Sequence, residues 1–425
     1  MPETFRIGLL GRGTVGGAFA QLLEQRAGHV ATVTGLRPQI TGVLRRSEGD
    51  FEQILAGSDL IVELMGGLDP AREYVLRALR AGRHVVTANK QLLAEHGEEL
   101  WAAARDHGVQ LRFEAAVGGV VPVIRVLGES LAAAHVERLH GIVNGTTNFI
   151  LTRMAETGAA YDDALAEAQQ LGYAEADPTD DVTGRDAAAK MAILARLAFD
   201  TPVTLDQVVY EGIEHLTADD MAYARELGLG LKLIGTAERV GGGLSVRVHP
   251  AFLYGAHPLA SVNGPFNAVT IESPAITEVT LSGPGAGGPQ TASAVLGDVI
   301  SAMIPPASGV GGSDAEPLPI VADVTSAFYL HVEVADQPGV LAQLAQILGL
   351  QGISVKSFVQ KGLGEHARLV MVLHPVLESK LFAAVDLIAG LDFVRARPRR
   401  SASSTRSSSA GPHRALPRSP PVRPR

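Results

Sequence analysis

The sequence predicts an α/β protein with three units: a doubly wound, Rossmann-like N-terminal domain, an α+β domain, and a small ferredoxin-like module near the C terminus. Over the first hundred residues, short apolar runs alternate with amphipathic stretches, as in parallel strands joined by helices. After Pro122 the pattern changes to mixed strands and longer helices. From Ala327 the order strand, helix, strand, strand, helix predicts the third unit.

Within the N-terminal domain, apolar runs predict strands and amphipathic periodicity predicts helices. The strands are expected at residues 5–11, 40–46, 58–67, 84–88 and 109–117, and the helices at 18–26, 71–81 and 91–108. Asp69 and Pro70 are the expected N-cap and first-turn proline of the second helix. Strands and helices at this spacing predict a parallel sheet.

The rest of the chain is divided by changes in composition. Long helices are expected at 161–172 and 183–199, and strands within 228–283, where valine, threonine and glycine are frequent. Residues 305–319 predict a connecting loop. The predicted domains are 1–130, 131–325 and 326–397, followed by a basic tail at 398–425 that is rich in serine, proline and arginine. Such a tail predicts disorder, with a basic contact arm as the alternative.

Composition excludes several classes of protein. The 425 residues are 46% hydrophobic and carry a net charge of −9, and the seven arginines beyond Pro398 leave an acidic body. An acidic body argues against nucleic-acid binding. No apolar run reaches the roughly 20 residues that span a membrane, and the N terminus does not resemble a signal peptide, so a cytoplasmic protein is expected. The chain has no cysteine, which excludes disulfides, thiolate metal sites and cysteine nucleophiles.

A glycine motif stands between the first predicted strand and helix. Gly11, Gly13 and Gly16 form G-x-G-x-x-G, in which the glycines allow a tight turn, close approach of a pyrophosphate, and packing of helix on strand. The second strand ends in Arg45 and Arg46, where an NAD site would carry a carboxylate. A guanidinium there suits the 2′-phosphate of NADP. The alternatives are a turn without a ligand and two solvated surface arginines.

The helix at 183–199 carries a lysine on its apolar side. Thr183 and Asp186 are spaced as a capping pair, and Asp186 lies four residues before Lys190 on one face. The same face continues with apolar residues, so Lys190 must be paired, must reach out to solvent or must have a function. A lysine balanced between burial and a carboxylate can exchange a proton with a substrate. A structural salt bridge and a catalytic lysine both remain open.

Acidic residues precede this helix in excess of what one lysine requires. They are Glu175, Asp177, Asp180 and Asp181. Beside a cofactor site, such a cluster indicates recognition of a cationic group on the substrate, such as an α-ammonium.

Residues 5–325 resemble homoserine dehydrogenase. The motifs that carry the resemblance are "GRGTVG", "VELMGG", "TANKQLLA", "EAAVGGVVPVI", "GIVNGTTNFILTRM", "LGYAEADPTDDVTGRDAAAK" and "GPGAGGPQTASAVLGD". The resemblance implies reduction of L-aspartate 4-semialdehyde to L-homoserine by NAD(P)H, in threonine, methionine and isoleucine biosynthesis. It implies Lys190 as the proton donor, Glu175 and Asp186 as substrate-binding residues, and Lys90 beside nicotinamide and substrate.

The resemblance also implies further ligand contacts. Thr14, Val15, Gly172 and Gly287 would approach the cofactor together with the glycine motif. A monovalent cation, Na⁺, would be held by the carboxylate of Glu114 and the carbonyls of Val117, Gly119 and Val121.

Residues 327–397 resemble an ACT domain, with "DQPGVL" at the turn between its first strand and helix. Such domains pair through their sheets and bind amino acids, which implies an effector such as threonine and a homodimer or higher homo-oligomer. The alternative is a dimerisation unit without a ligand.

Two rival functions make different predictions. Aspartate-semialdehyde dehydrogenase shares a glycine-loop domain but works through an acyl-thioenzyme, which a chain without cysteine cannot form. A non-catalytic sensor would bind cofactor and amino acid without turnover. The set of Lys90, Glu175, Asp186 and Lys190 argues against it.

Overall fold

The N-terminal strands form one parallel sheet in a computed structural model that describes residues 2–46, 48–285, 287–304, 317–361 and 367–404. The strands are β1 (Glu3–Leu10), β2 (Leu36–Leu44), β3 (Leu60–Glu63), β4 (His84–Thr87) and β5 (Leu111–Arg112), in the order β2-β1-β3-β4-β5. The connecting helices are α1 (Thr14–Thr34), α2 (Phe51–Ala56), α3 (Ala71–Arg80) and α4 (Lys90–Asp106). The predicted doubly wound sheet is confirmed, and its strand order reverses at β1 and β3.

Several predicted boundaries in this domain were wrong. The helix α1 begins at Thr14, inside the glycine motif, and α2 was not predicted. Pro70 rather than Asp69 is the N-cap of α3. The strand expected at 109–117 is only two residues long and gives way to a 3₁₀ turn at Glu114–Ala116. Glu114 accepts backbone hydrogen bonds from Ile124 and Arg125, which turns the chain away from the sheet.

The middle of the chain builds an antiparallel sheet covered by helices. The helices are α5 (Val123–Arg125), α6 (Gly145–Thr157), α7 (Tyr161–Gln170), α8 (Thr179–Val182), α9 (Arg185–Phe199), α10 (Ala218–Glu226) and α11 (Gly288–Met303). The strands are β6 (Arg138–Ile142), β7 (Val209–Tyr210), β8 (Leu229–Val240), β9 (Gly243–Tyr254), β10 (Phe266–Ser273) and β11 (Thr277–Pro284). The sheet order is β11-β10-β6-β8-β9, and β7 pairs with β9.

Close packing positions α9 and α11. Helix α9 buries several alanines and lies against β8, where a Cβ on Gly235 would come within 2.4 Å of Met191. Small residues at such contacts let a helix approach a sheet closely. Helix α11 returns to the N-terminal domain and packs on α1, sharing one core cluster with β1 and β3. Helix α11 thereby joins the second unit to the parallel N-terminal sheet.

The C-terminal module has the predicted element order. It contains β12 (Thr325–Val334), α12 (Val340–Leu350), β13 (Val355–Lys361), β14 (Ala367–Leu373), β15 (Val376–Leu377) and α13 (Glu378–Ala389), and then β16 (Arg399–Ser404). The sheet order is β16-β12-β14-β13. Because β16 also pairs in parallel with β9, the sheets of the second and third units are continuous.

Strand β16 corrects the prediction that disorder begins at residue 398. Residues 399–403 pair with β12, and 402–404 pair with β9. Composition missed this strand because backbone hydrogen bonds to two neighbours form it, which requires no apolar run. The rest of the predicted tail, 405–425, and residues 305–316 of the predicted loop lie outside the described residues. Within the described ranges, no helix is long and apolar enough to cross a membrane.

Candidate active site

Two lysines from different domains meet at one buried carboxylate. The ammonium Nζ of Lys190 lies 2.7 Å from Oδ2 of Asp186, and Lys90 forms an ion pair with Oδ1 of the same carboxylate. The Asp186 side chain is 2% exposed, against 13% for Lys190 and 42% for Lys90. Asp186 therefore anchors both ammonium groups at the edge of the protein interior.

Elements from three parts of the chain position this group. Lys90 is the first residue of α4 and is separated from β4 by two residues, Ala88 and Asn89. The side chain of Asn89 caps the helix by accepting from Leu92 N–H at 3.1 Å. Asp186 and Lys190 lie one turn apart on α9. Lys190 also donates to the carbonyl of Val143 at 3.0 Å.

The capping interpretation of Asp186 was wrong. Gly184 is the N-cap of α9, and the Thr183 hydroxyl donates to the carbonyl of Thr179 instead. The side chain of Asp186 is thus available to the two lysines. Its position in the first turn of α9 adds the favourable interaction of an anion with a helix N terminus.

The electrostatics of the group keep Asp186 and Lys90 charged. Burial raises the pKa of Asp186, but the charges and hydrogen bonds of Lys190 and Lys90 outweigh it, so the pKa lies well below its ordinary value. Burial lowers the pKa of Lys90, but Asp186 more than offsets this, and the pKa lies above its ordinary value. Asp181 shows the opposite shift, because burial and the charge of Asp186 raise its pKa. Lys90 is therefore held as a cation.

These residues line a cavity of about 570 Å³. Glu175 lies on its exposed side, and Gln169 fixes that segment by donating to the Glu175 carbonyl at 3.1 Å. Two of the other acids have local partners: Asp177 accepts from Thr179, and Asp180 pairs with Arg185 at 3.3 Å. Because lysines and acids both line it, the cavity suits a small substrate that carries one negatively and one positively charged group.

The glycine motif adopts the conformation that a nucleotide site needs. Gly11 has φ +94° and donates its N–H to the carbonyl of Leu44 at 3.0 Å. A Cβ on Gly16 would come within 2.1 Å of the Gly11 carbonyl, whereas a Cβ on Gly13 would meet only open space among the described atoms. The described helix α1 begins at Thr14, and its first turn contains no acidic residue. Its free N–H groups, including that of Val15, fit a pyrophosphate.

Of the remaining predicted cofactor residues, Gly287 and Arg45 lie near this loop and Gly172 lies at the cavity. Gly287 is the N-cap of α11, and a Cβ on the next residue, Gly288, would lie 3.3 Å from Thr14. Gly172 has φ +76° and lines the same cavity as the two lysines. Arg45 follows β2 beside the loop, but its guanidinium pairs with Glu48 at 3.1 Å.

In the loop predicted to hold a cation, the carboxylate of Glu114 already accepts hydrogen bonds from the backbone. Both oxygens of Glu114 accept backbone N–H groups, from Ile124 at 2.8 Å and Arg125 at 2.9 Å. Burial, with the charge of Asp298, raises the pKa of Glu114 to about 7. Gly119 has φ +66° and lies against Gly285, which lines the lysine cavity. Among the described residues no cluster of three acidic or histidine side chains could hold a metal ion, so a cation here would depend on backbone oxygens.

Sequence reasoning missed the residues that hold the site together. The side-chain amide of Asn144 donates to Asp186 at 2.8 Å and to Asp181 at 2.6 Å. Buried Glu63 accepts from Thr87 at 2.6 Å and from Met65 N–H at 2.7 Å, which fixes the loop after β3. The asparagine in "IVNGTT" and the glutamate in "IVELMGG", each at the end of an apolar strand, were the available signals.

A nucleotide loop of this kind, beside a cavity lined by lysines and acids, is typical of a nucleotide-dependent enzyme that acts on small charged substrates. Three family models match the chain: the homoserine dehydrogenase NAD-binding domain at residues 11–114, homoserine dehydrogenase at 122–300, and the ACT domain at 321–392. The chain belongs to the homoserine dehydrogenase family. It is therefore an NAD(P)-dependent enzyme that interconverts L-homoserine and L-aspartate 4-semialdehyde.

Individual relatives cover from 70% to 95% of the chain. Homoserine dehydrogenase of Corynebacterium glutamicum is 43% identical over 415 residues, which cover 92% of this chain and 93% of that protein. The crystal structure of a homoserine dehydrogenase from Thiobacillus denitrificans is 39% identical, with a TM-score of 0.89 over 95% of this chain and 98% of that one. A hyperthermophilic archaeal homoserine dehydrogenase in complex with NADPH is 30% identical, with a TM-score of 0.59 over 70% of this chain and 97% of that one.

Proposed function

We propose that Lys190 is the proton donor to the aldehyde oxygen when L-aspartate 4-semialdehyde is reduced, and the acceptor in the reverse direction. The observation that carries the proposal is the position of its ammonium group, 2.7 Å from Asp186 and 3.0 Å from the Val143 carbonyl, at the cavity wall. An ammonium group has three N–H donors. These two contacts, the ones the described residues provide, leave the third for a substrate oxygen.

Lys90 has a different role. Its raised pKa keeps it charged, so it stabilises negative charge on the substrate rather than releasing a proton. Asp186, which the resemblance implied as a substrate-binding residue, acts on the substrate through both lysines, because its buried carboxylate is paired with them. Glu175 on the exposed side of the cavity binds the α-ammonium of the substrate. Bound NAD(P)H supplies the hydride for the reduction. Positioning and general acid catalysis by the chain then account for the rest of the reaction.

We infer that Gly11, Gly13, Thr14, Val15 and Gly16 bind the pyrophosphate, because this turn combines open space beside Gly13 with free N–H groups at a helix N terminus. Gly172, Gly287 and Lys90 border the nicotinamide end. Arg45 selects NADP by leaving Glu48 and pairing with the 2′-phosphate, since a phosphate is the stronger bidentate partner. NADPH in the archaeal relative supports this choice.

We further propose that the loop of Glu114, Val117, Gly119 and Val121 holds a monovalent cation, Na⁺. Hard cations take oxygen ligands, and the left-handed turn at Gly119 lets this buried loop curve beside the cavity wall. Turnover in Na⁺, compared with tetramethylammonium at equal ionic strength, tests the proposal. Equal rates in the two salts would exclude a required cation.

We also propose that the module at 326–397 binds an amino acid such as threonine and pairs two or more chains. The turn before α12 is left-handed at Gly339, and Leu341, Leu350 and Leu387 are exposed apolar side chains on its helices. A role in threonine, methionine and isoleucine biosynthesis follows from the product. Inhibition by threonine and the mass of the assembly in light scattering test these points.

The test of the catalytic proposal is homoserine-dependent reduction of NADP and of NAD by the wild type, Lys190→Ala and Lys190→Met. We expect kcat to fall by about 10²–10⁴ while the Kd for the cofactor is unchanged, because general acid–base catalysis contributes that much. Lys380→Ala is the matched control, since Lys380 is exposed on α13. Full activity in Lys190→Ala would make Lys190 structural, and cofactor binding without turnover in the wild type would favour the sensor.

A further inference from the structure

A third lysine is buried behind the candidate active site. Lys232 lies on β8 and is 4% exposed. Its ammonium Nζ donates to Oδ1 of Asn148 at 3.1 Å, to the carbonyl of Val262 at 2.6 Å and to Oδ1 of Asn263 at 2.9 Å. Asn148 lies on α6, whereas the other two belong to the segment 262–265, which leads into β10. The three N–H donors of the ammonium group therefore each have an acceptor.

The three acceptors of Lys232 are neutral oxygens, which makes its charge costly to bury. Burial lowers the pKa of Lys232 to about 8, and the charge of Glu156 on α6 opposes this shift only in part. Buried ammonium groups are normally paired with carboxylates. An apolar side chain of similar size would avoid the cost of removing the charge from water. Packing alone therefore does not account for a lysine here.

The contact with Lys232 fixes the orientation of the Asn148 side-chain amide. Because a lysine can only donate, the atom that faces it must be the oxygen Oδ1, and the nitrogen Nδ2 takes the other position. Nδ2 then donates to the carbonyls of Val262, Gly264 and Phe266, at 3.1, 2.9 and 3.1 Å. A rotated amide would place its oxygen against these carbonyls, which also offer only acceptors. Lys232 therefore holds the segment around this amide.

The same segment forms part of the wall of the cavity in the candidate active site. Pro265 lines that cavity, and its carbonyl accepts the N–H of Gly285, another lining residue, at 3.1 Å. A Cβ on Gly145, at the start of α6, would come within 2.9 Å of the Pro265 carbonyl. Gly264 has φ +68° and donates its N–H to Oγ1 of Thr152 at 3.1 Å. A movement of the segment would therefore displace the cavity wall.

We propose that Lys232 is a positioning residue, which holds the wall of the substrate cavity in the shape that binds homoserine. Lys232 does not line the cavity, so it acts through Asn148 and Pro265 and takes no part in the chemical step. The inference rests on the proposed function, in which this cavity binds the substrate. The effect of Lys232 should fall on the affinity for homoserine and leave proton transfer by Lys190 in place.

The first test compares Lys232→Met with Lys380→Met, an exposed control on α13. Methionine keeps an unbranched apolar stem but has no N–H donor. We expect the KM for homoserine to rise by about tenfold or more, because three hydrogen bonds from a charged donor are lost, and kcat to stay within about threefold. Calorimetric titration of homoserine into the enzyme saturated with NADPH, a complex that cannot react, gives its Kd without turnover. This Kd should rise with the KM.

A second variant removes one acceptor from the exposed side. Asn263 is exposed, so Asn263→Ala opens no space in the core, and we expect the KM for homoserine to rise by about three- to tenfold. Ser261→Ala is the matched control, because Ser261 is exposed in the same loop and its hydroxyl donates to the Pro258 carbonyl instead. The double variant with Lys232→Met should have the KM of Lys232→Met alone, since Asn263 then has no ammonium to accept from.

The proposal is overturned if Lys232→Met keeps the wild-type KM and Kd for homoserine, even at a lower melting temperature, because Lys232 would then serve stability alone. It is also overturned if kcat falls in place of affinity, or if the two effects multiply in the double variant. Should Lys232→Met fail to fold, wild-type values in Asn263→Ala overturn it.

Lys190→Ala, measured in parallel, separates this inference from the catalytic proposal. Loss of kcat in Lys190→Ala, together with an unchanged homoserine Kd in the Lys232 and Asn263 variants, refutes the positioning role alone. Full activity in Lys190→Ala, together with a raised Kd in those variants, refutes the catalytic proposal alone.

Discussion

Replacing Asp186 by asparagine should destabilise the site strongly, because Asp186 is the shared partner of two ammonium groups. Breaking a buried ion pair from one side costs about 3–5 kcal/mol. The pair with Lys190 is of this kind, since the two side chains are 13% and 2% exposed. The pair with Lys90 is half open to solvent and adds at most about 1 kcal/mol. We expect a total loss of about 3–6 kcal/mol in the free energy of unfolding at pH 7.

The assay is urea unfolding followed by tryptophan fluorescence. Trp101 lies on α4, the helix that begins at Lys90, and stacks with Arg196 of α9, so the signal reports on the unit that Asp186 joins. Asp180→Asn is the control. Its pair with Arg185 is exposed, and its loss should cost about 0–1 kcal/mol.

The pH dependence gives a second test. The folded pKa of Asp186 is lowered, so its contribution is present above the ordinary value of 3.8 and is lost as the pH falls through the folded value. The folded pKa of Lys90 is raised, so its contribution is present below 10.5 and is lost as the pH rises through the folded value. The difference between wild type and Asp186→Asn should be largest between these limits. A difference below about 1 kcal/mol at pH 7, or one that does not shrink in strong acid, would refute the reasoning.

Three other perturbations have defined outcomes. Gly13→Ala should raise the KM for the cofactor by at least about tenfold without lowering the melting temperature, because the added Cβ would enter the open space that a pyrophosphate occupies. Gly17→Ala, in the interior of α1, is the control. It should leave the KM unchanged and stabilise the helix by about 0.5–1 kcal/mol. Arg45→Gln should reduce the preference for NADP over NAD by about tenfold or more, and Glu48→Gln should increase it; unchanged ratios of kcat/KM would exclude Arg45 as the selector. A chain that ends at Pro398 should melt at a lower temperature than one that ends after β16, because β12 and β9 each lose a paired neighbour; equal melting temperatures would mean that the strand adds no stability.

Local patterns predicted most of the elements and the individual chemical groups. The apolar runs of β1, β3 and β4 and the glycine motif determined the nucleotide-binding sheet, because strand period and turn chemistry are properties of neighbouring residues. The ends of an element were predicted less well where a side chain hydrogen-bonds to a distant part of the backbone. Strand β5 ends after two residues because Glu114 turns to donors ten and eleven residues further along the chain.

The sequence by itself determined which ionisable groups are available: a lysine four residues after Asp186, a lysine after β4, and no cysteine. Tertiary structure decided their relation. Lys90 and Asp186 are far apart in the chain, and their contact exists only because α4 and α9 pack together. The hydrogen bonds by which Asn144 joins Asp186 to Asp181 likewise depend on the packing of distant segments. Contacts between distant segments depend on how the elements pack, and the period of a single segment does not contain that information.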